Sequence, residues 1–263
     1  HTVRSVGMAM AMQGSGISGL DVGSVQLKLN DDGFYTLMIG CSDMGTGCDT
    51  ILAQMAADGL GCDMDNIIVR GVDTDQSPYD SGSYASSTTY VTGGAVVKAC
   101  ESMRKRICEE AAAIMGLKSG EVDFDGETIS ENDNPEHSMT LSDLITSLEA
   151  GNGRIIEVTE SHTSPVSPPP FMAGAAEIEV DLETGKITPI NYVAAVDCGT
   201  VINTNLARIQ TEGGIVQGMG MTLYEDVQYT EAGKMKNRNF MSYKIPTRLD
   251  MGSISVEFES SYE

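Results

Sequence analysis

The feature that most restricts how this chain folds is a helical stripe that follows directly on a run of small, hydroxylated residues. Val91, Ala95, Ala99, Met103, Ile107 and Ala111 recur at four-residue spacing, and the pattern stops at Gly116. That spacing predicts a long helix with one buried face and a glycine stop. Residues 78–97, PYDSGSYASSTTYVTGGAVV, lead into it. Small residues let a backbone approach another molecule closely, and amides and hydroxyls at a helix N-terminus suit an anion. Two readings stand at this point: a cradle for a phosphorylated or polyoxygenated cofactor, or a serine-rich surface loop that caps its helix.

The periodicity of the first half places strands over residues 6–13, 24–30 and 34–40, the last two joined as a hairpin by Asn30-Asp31-Asp32-Gly33. Residues 14–19 match GxGxxG, but a turn and a strand follow where a dinucleotide site needs a helix, so the match is rejected. CSDMGTGCDT, residues 41–50, then turns into a helix over residues 48–60, with Thr46 or Asp49 as its expected cap, and a strand over residues 66–70 follows. Arg104, Lys105 and Arg106 fall mostly off the helical stripe and read as a solvated face. Short strands are expected on either side of Asp125-Gly126, then a helix capped by Thr140 and an extended segment over residues 154–161.

SPVSPPP, residues 164–170, reads as a crossover between two lobes, residues 1–163 and 164–263. Beyond it a hairpin is expected about Glu183-Thr184-Gly185, then a helix over residues 205–219 that carries Gln210, Glu212 and Gln217 beside Gly213, Gly214, Gly218 and Gly220. Each such glycine costs a helix roughly 1 kcal/mol against alanine, so close approach by a backbone or a ligand is expected there. Sheet is expected over residues 222–228 and 253–259. The fold class implied is α+β, mixed sheets with packed helices.

A formal charge of −22 argues against nucleic acid and anionic membranes as partners. A small anion would be held by backbone dipoles. No run reaches the roughly 20 apolar residues of a membrane span, and the first residues lack a signal-peptide layout; the missing initiator Met suggests a fragment. The six cysteines form no CxxC pair, and His1, His137 and His162 are too few and too scattered for a histidine-based site. Reduced cytosolic thiols, and a cytoplasmic location, are the default.

Several segments, taken in order, resemble the molybdopterin-binding subunit of the xanthine dehydrogenase family of molybdenum hydroxylases. They are GCSDMGTG at residues 40–47; residues 78–96 with Ala85-Ser86-Ser87-Thr88-Thr89 at their centre; Asp197-Cys198-Gly199 followed by Asn203; QTEGGIVQG at residues 210–218; and Tyr243-Lys244-Ile245-Pro246. The resemblance spans nearly the whole chain and suggests the C-terminal portion of that subunit. It implies a molybdopterin cofactor with molybdenum, in the plain or the cytosine dinucleotide form. Met44, Gly45, Thr46 and Gly47 would lie along the pterin, Ala85, Ser86, Ser87, Thr88 and Thr89 would offer amides and hydroxyls, and Gln217 would bond the cofactor near the metal. No side chain ligates the metal directly.

The resemblance further implies hydroxylation of a heterocycle, a purine such as xanthine or hypoxanthine, with another N-heterocycle such as nicotinate, or an aldehyde, as alternatives. Iron–sulfur clusters and FAD are expected on partner subunits or other segments, together with the rest of the molybdenum subunit, in a bacterial multi-subunit enzyme. The chain departs from the family in carrying Thr46 where many members have Gln. It has Ser15, Gly16 and Ile17 where purine-oxidising members often place an aromatic near the substrate. The family's general base is a Glu in a Gly-Glu pair downstream of this region. Glu263 follows Tyr262 and is not assigned that role, so no catalytic residue is expected here and the isolated fragment is expected to be inactive. A binding or scaffold subunit whose glycines only pack helices is the reading from a different class.

Overall fold

The structure, a computed structural model, describes residues 1–260; Tyr262 and Glu263 lie outside them. In chain order the elements are β1 (Thr2–Met12), β2 (Val22–Leu29), β3 (Tyr35–Ile39), α1 (Cys48–Leu60), β4 (Ile67–Arg70) and α2 (Thr88–Met115). Then come β5 (Val122–Phe124), β6 (Thr128–Glu131), β7 (Asn134–Thr140), α3 (Leu141–Asn152), β8 (Glu157–Thr163), β9 (Phe171–Asp181), β10 (Ile187–Asp197), α4 (Thr204–Leu223) and β11 (Ser253–Phe258). This is an α+β fold, as the sequence implied. Among the described residues no helix is long and apolar enough to cross a membrane.

The contacts divide the chain into one unit of residues 14–168 and another made of residues 1–13 with 169–263. The expected boundary at 163/164 is therefore shifted, and residues 1–13 belong with the C-terminal part. The physical reason is pairing: β1 runs antiparallel to β9 in register from Thr2↔Asp181 to Met12↔Phe171. Local periodicity identifies such a strand and is silent about its partner.

The central unit is built on a sheet of order β4-β3-β2-β8. Alternation in β2 and β3 sends Val25, Leu27, Leu37 and Ile39 to one fully buried face. Against it lie α1 and α2, and α2 also packs on α1 and β8. Every residue of the predicted stripe is buried, within a wider buried face of α2 that also takes in Val96 and Cys100, and the helix ends at Gly116 in the left-handed conformation. Gly23 of β2 makes the approach possible, because a Cβ there would fall 2.5 Å from the Cα of Thr92. A second small sheet, β5-β6-β7, and α3 complete this core through Phe124, Ile129 and Leu144. β7 escaped the sequence reading because it is exposed almost throughout and contains Pro135, features of an edge strand.

The other unit is a sheet of order β1-β9-β10-β11 on which α4 packs, with Ala194, Val196 and Ile215 as its buried centre. The expected sheet over residues 222–228 is absent. α4 continues to Leu223, and the following segment has no strand among its described residues beyond a single bridge, Tyr229 to Met235. Of the glycines of α4, Gly220 is closely approached, by the Glu225 carboxylate and the ring of Pro246, whereas a Cβ at Gly213, Gly214 or Gly218 would meet no protein atom within 4 Å.

The basic cluster on α2 is only partly solvated. The Arg104 guanidinium donates to the carbonyls of Leu60, at 3.1 Å, and Phe124, and lies 5.4 Å from the centre of the Phe124 ring. It thus closes the C-terminal end of α1 and ties β5 to α2. Arg104→Met keeps the apolar stem but orphans two carbonyls, and should lower unfolding free energy by about 1–3 kcal/mol in chemical denaturation, whereas Lys105→Met should change it by less than about 0.5 kcal/mol. Gly23→Ala should cost a further ~1–3 kcal/mol in the same assay, since the two backbones must separate to admit one methyl group.

Candidate cofactor cradle

Two loops of the central unit, both singled out by their sequence, come together at the N-termini of α1 and α2. The first leaves β3 at Gly40, whose Cβ position would clash with Pro78 O and fall 2.6 Å from the Asp80 Cβ, so glycine is required where the loops cross. Ser83 Oγ donates to Ser42 O at 3.3 Å and links the loops again. Neither loop carries a Lys or Arg within residues 40–47 or 78–97.

The first loop is organised by a residue that sequence reading missed. Asp43 Oδ1 accepts from the amides of Gly45, at 2.9 Å, and Gly47, at 3.1 Å, and these bonds hold its carboxyl below the usual carboxylate range. Gly45 and Gly47 both take positive φ, and Gly47 stands at the N-cap of α1 with no side-chain cap. The capping expected from Thr46 or Asp49 is therefore not found; the Asp-x-Gly spacing of an Asx turn was the available signal. Thr46 Oγ1 is buried with no hydrogen-bond partner at normal distance, beside the Cys48 thiol. A hydrogen bond between Cys41 and Cys48 pushes the Cys41 thiol up and draws that of Cys48 down. Asp43, Cys48 and Asp49 bring potential ligand atoms within 4.8 Å of one another, but Asp43 is already committed to the turn amides.

The second loop is held from within. Asp80 accepts from Gly82 N and Thr92 Oγ1, each at 2.8 Å, while Ser81 exchanges bonds with Val22 through its amide and hydroxyl. Its end is unusual: Ala85 and Ser86 are the two non-glycine residues with positive φ, 52° and 57°, among the described residues. Ser87 returns to the right-handed region and forms the N-cap of α2, but its hydroxyl donates to Gly82 O at 3.0 Å and leaves the helix without a side-chain cap. A left-handed residue followed by a right-handed one turns successive amides to one side, the geometry of an anion-binding nest. Here the nest opens at the positive end of a 28-residue helix. The alternative of an ordinary capped loop lacks its cap.

Ser86 and Thr89 are exposed and Thr88 is half-buried; the turn Met44-Gly45 is exposed as well, with the Gly45 amide held by Asp43. Of the residues expected near substrate, Gly16 is buried and has Val91 and Ser87 as neighbours, and Ser15 N donates to Pro168 O at 3.1 Å, which gives both a role in holding the loop; Ile17 remains exposed. Gln217 lies in the other unit, exposed on the same face of α4 as Gly213, Gly214 and Gly218. The donor set fits an anionic, oxygen-rich group: amides at a helix terminus, an orphaned hydroxyl, and no cation to compete with them.

The profile of the "Molybdopterin cofactor-binding domain" family matches residues 1–252. The chain is 31% identical over 255 residues to "Probable hypoxanthine oxidase XdhD" of Escherichia coli K12, matching 97% of this chain and 26% of that protein. It is 29% identical to the "Nicotine 6-hydroxylase large subunit" of Paenarthrobacter nicotinovorans, over 90% of this chain and 30% of that one. Among solved structures, quinoline 2-oxidoreductase from Pseudomonas putida 86 superposes on 99% of this chain and 35% of its own with a TM-score of 0.89 at 23% identity, a likeness of fold. The chain thus spans about a quarter to a third of the length of these relatives. With a family match that runs through both units, the chain belongs to the molybdopterin cofactor-binding domain family of molybdenum hydroxylases.

Proposed function

We propose that this chain is the cofactor-holding part of a molybdenum hydroxylase that oxidises a purine such as xanthine or hypoxanthine. The observation that carries the cofactor role is the uncapped, nest-bearing N-terminus of α2. When bound, a molybdopterin cofactor, in plain or cytosine dinucleotide form, supplies the two-electron oxidation of an electron-poor ring carbon, with water as the source of the oxygen. The residues of this chain bind and orient. The Ser86, Ser87 and Thr88 amides, with the helix dipole, offset negative charge on a chain that is itself strongly acidic. Met44, Gly45, Thr46 and Gly47 form the adjoining wall, where the absence of a Cβ at Gly45 and Gly47 keeps the backbone accessible. Gln217 contributes an amide able both to donate and to accept.

Support for a purine comes from relatives named for hypoxanthine oxidase and, in Escherichia coli O157:H7 at 27% identity, xanthine dehydrogenase. A second reading, another N-heterocycle, is favoured by the nicotine hydroxylase at 29%. In either case the general base, the iron–sulfur and flavin centres, and the remainder of the molybdenum subunit come from other segments or partners, in a cytoplasmic complex.

Ser86→Leu in the intact protein should abolish molybdenum retention by elemental mass spectrometry while the circular dichroism spectrum and melting temperature stay within error. Retention equal to wild type would overturn the cradle, and wild-type protein without molybdenum or pterin would favour a scaffold. Turnover of hypoxanthine and xanthine should exceed that of nicotinate and aldehydes by at least about tenfold in kcat/KM; the opposite order would replace the purine by the second reading.

A further inference from the structure

Asp21 is a polar residue that the proposed function does not use, yet it is 1% exposed. Among the described residues no cation pairs with it. Burial of an acid without such a partner is costly unless hydrogen bonds replace water. Both of its oxygens are occupied: Oδ2 accepts from Ile17 N at 2.7 Å, and Oδ1 accepts from the hydroxyl of Tyr84. Tyr84 is the residue before the left-handed pair Ala85 and Ser86. A second bond reaches the same corner from the same loop, Gly16 N to Ala85 O at 2.7 Å. Gly16 has positive φ, and a Cβ on it would lie 3.2 Å from Asp21 Oδ2. The Gly16 loop is in turn fixed from behind, by Ser167 Oγ to Gly16 O at 2.8 Å and Gly19 N to Ser164 O at 2.8 Å.

Two consecutive alanine-like residues at positive φ cost roughly 1–2 kcal/mol each and persist only where the surroundings impose them. Tyr84 OH and Ala85 O flank the first of these residues, and both are tied to the Gly16–Asp21 loop. The phenol can therefore act as a lever on the peptide that begins the nest.

We propose that Asp21 and Tyr84 are positioning residues, a brace that holds the Ala85–Ser86 corner in its left-handed conformation and thereby aims the Ser86, Ser87 and Thr88 amides at an anionic cofactor. This rests on the cofactor-holding reading above for its ligand, but the brace itself is a property of the free protein. Donation to Asp21 keeps the proton on Tyr84, whose pKa is raised above the ordinary tyrosine value by that bond. Tyr84 is otherwise 48% exposed, so loss of its hydroxyl leaves the apolar packing intact and removes one of the two bonds that Asp21 accepts.

The test uses the intact protein and three variants: Tyr84→Phe, Ala85→Gly, and the two combined. Amide hydrogen exchange over residues 84–89 should quicken on the order of tenfold in Tyr84→Phe, and molybdenum retained per polypeptide after gel filtration should fall by a similar factor, with the circular dichroism spectrum unchanged and the melting temperature lowered only modestly, since Asp21 loses one of its two hydrogen bonds. Glycine adopts positive φ without cost, so Ala85→Gly in the Tyr84→Phe background should restore molybdenum retention to within about twofold of wild type. A merely structural hydroxyl would not be rescued by a glycine one residue away. Wild-type exchange in Tyr84→Phe, or loss of molybdenum that Ala85→Gly leaves unrepaired, would overturn the brace. If wild-type protein retains no molybdenum while exchange still quickens in Tyr84→Phe and recovers in the double variant, the brace stands and the cofactor reading fails.

Discussion

The structure of the central unit depends on the burial of α2 through small side chains. Ala95, Ala99 and Ala111 are fully buried, and Gly23 lets β2 meet the helix backbone to backbone. Large residues on this stripe would have held the helix farther off; alanines bring it close enough to touch α1, β2 and β8 together. A helix fixed along so much of its length cannot shift its first turn independently. The position of the nest at its N-terminus is therefore set by packing as far away as Ala111.

Charge explains why the cradle takes this form. With a net charge of −22, binding an anion through a cluster of lysines would oppose the sign of most of the surface. Backbone amides carry no net charge and lose little conformational entropy when their loop is already ordered. Both loops are ordered by carboxyl groups that accept from their own amides, Asp43 in one and Asp80 in the other. Acidic side chains thus shape a site suited to an acidic ligand by turning their oxygens inward to the backbone and leaving other amides free.

Much of this was legible in the sequence where the signal is local. The α2 stripe, the β2–β3 hairpin, the start and end of α1 and the Thr140 cap all follow from periodicity and end residues. The two glycine-rich walls were legible as special, and their resemblance to a family placed them together. What stayed hidden is long-range. Nothing near Arg104 announces the carbonyls of Leu60 and Phe124, nothing near Tyr84 announces Asp21, and nothing near β1 announces β9. The left-handed Ala85 and Ser86 were invisible for a related reason: turn chemistry signals positive φ through glycine and asparagine, and here the surroundings impose it on residues that do not favour it.

The pairing of β1 with β9 also has a bearing on how the chain acquires its structure. During synthesis β1 emerges before the central unit, carrying Met8, Met10 and Met12 on an exposed face, and its partner β9 emerges only after that unit has been made. The central unit is one continuous segment and can condense as it leaves the ribosome, while β1 waits as an unpaired, sulfur-rich strand. Closing that long loop costs entropy that rises only slowly with its length, and a central unit that has already folded shortens the distance to be closed. The order of assembly is thereby written into the topology, with the inserted unit maturing before the pairing of β1 with β9.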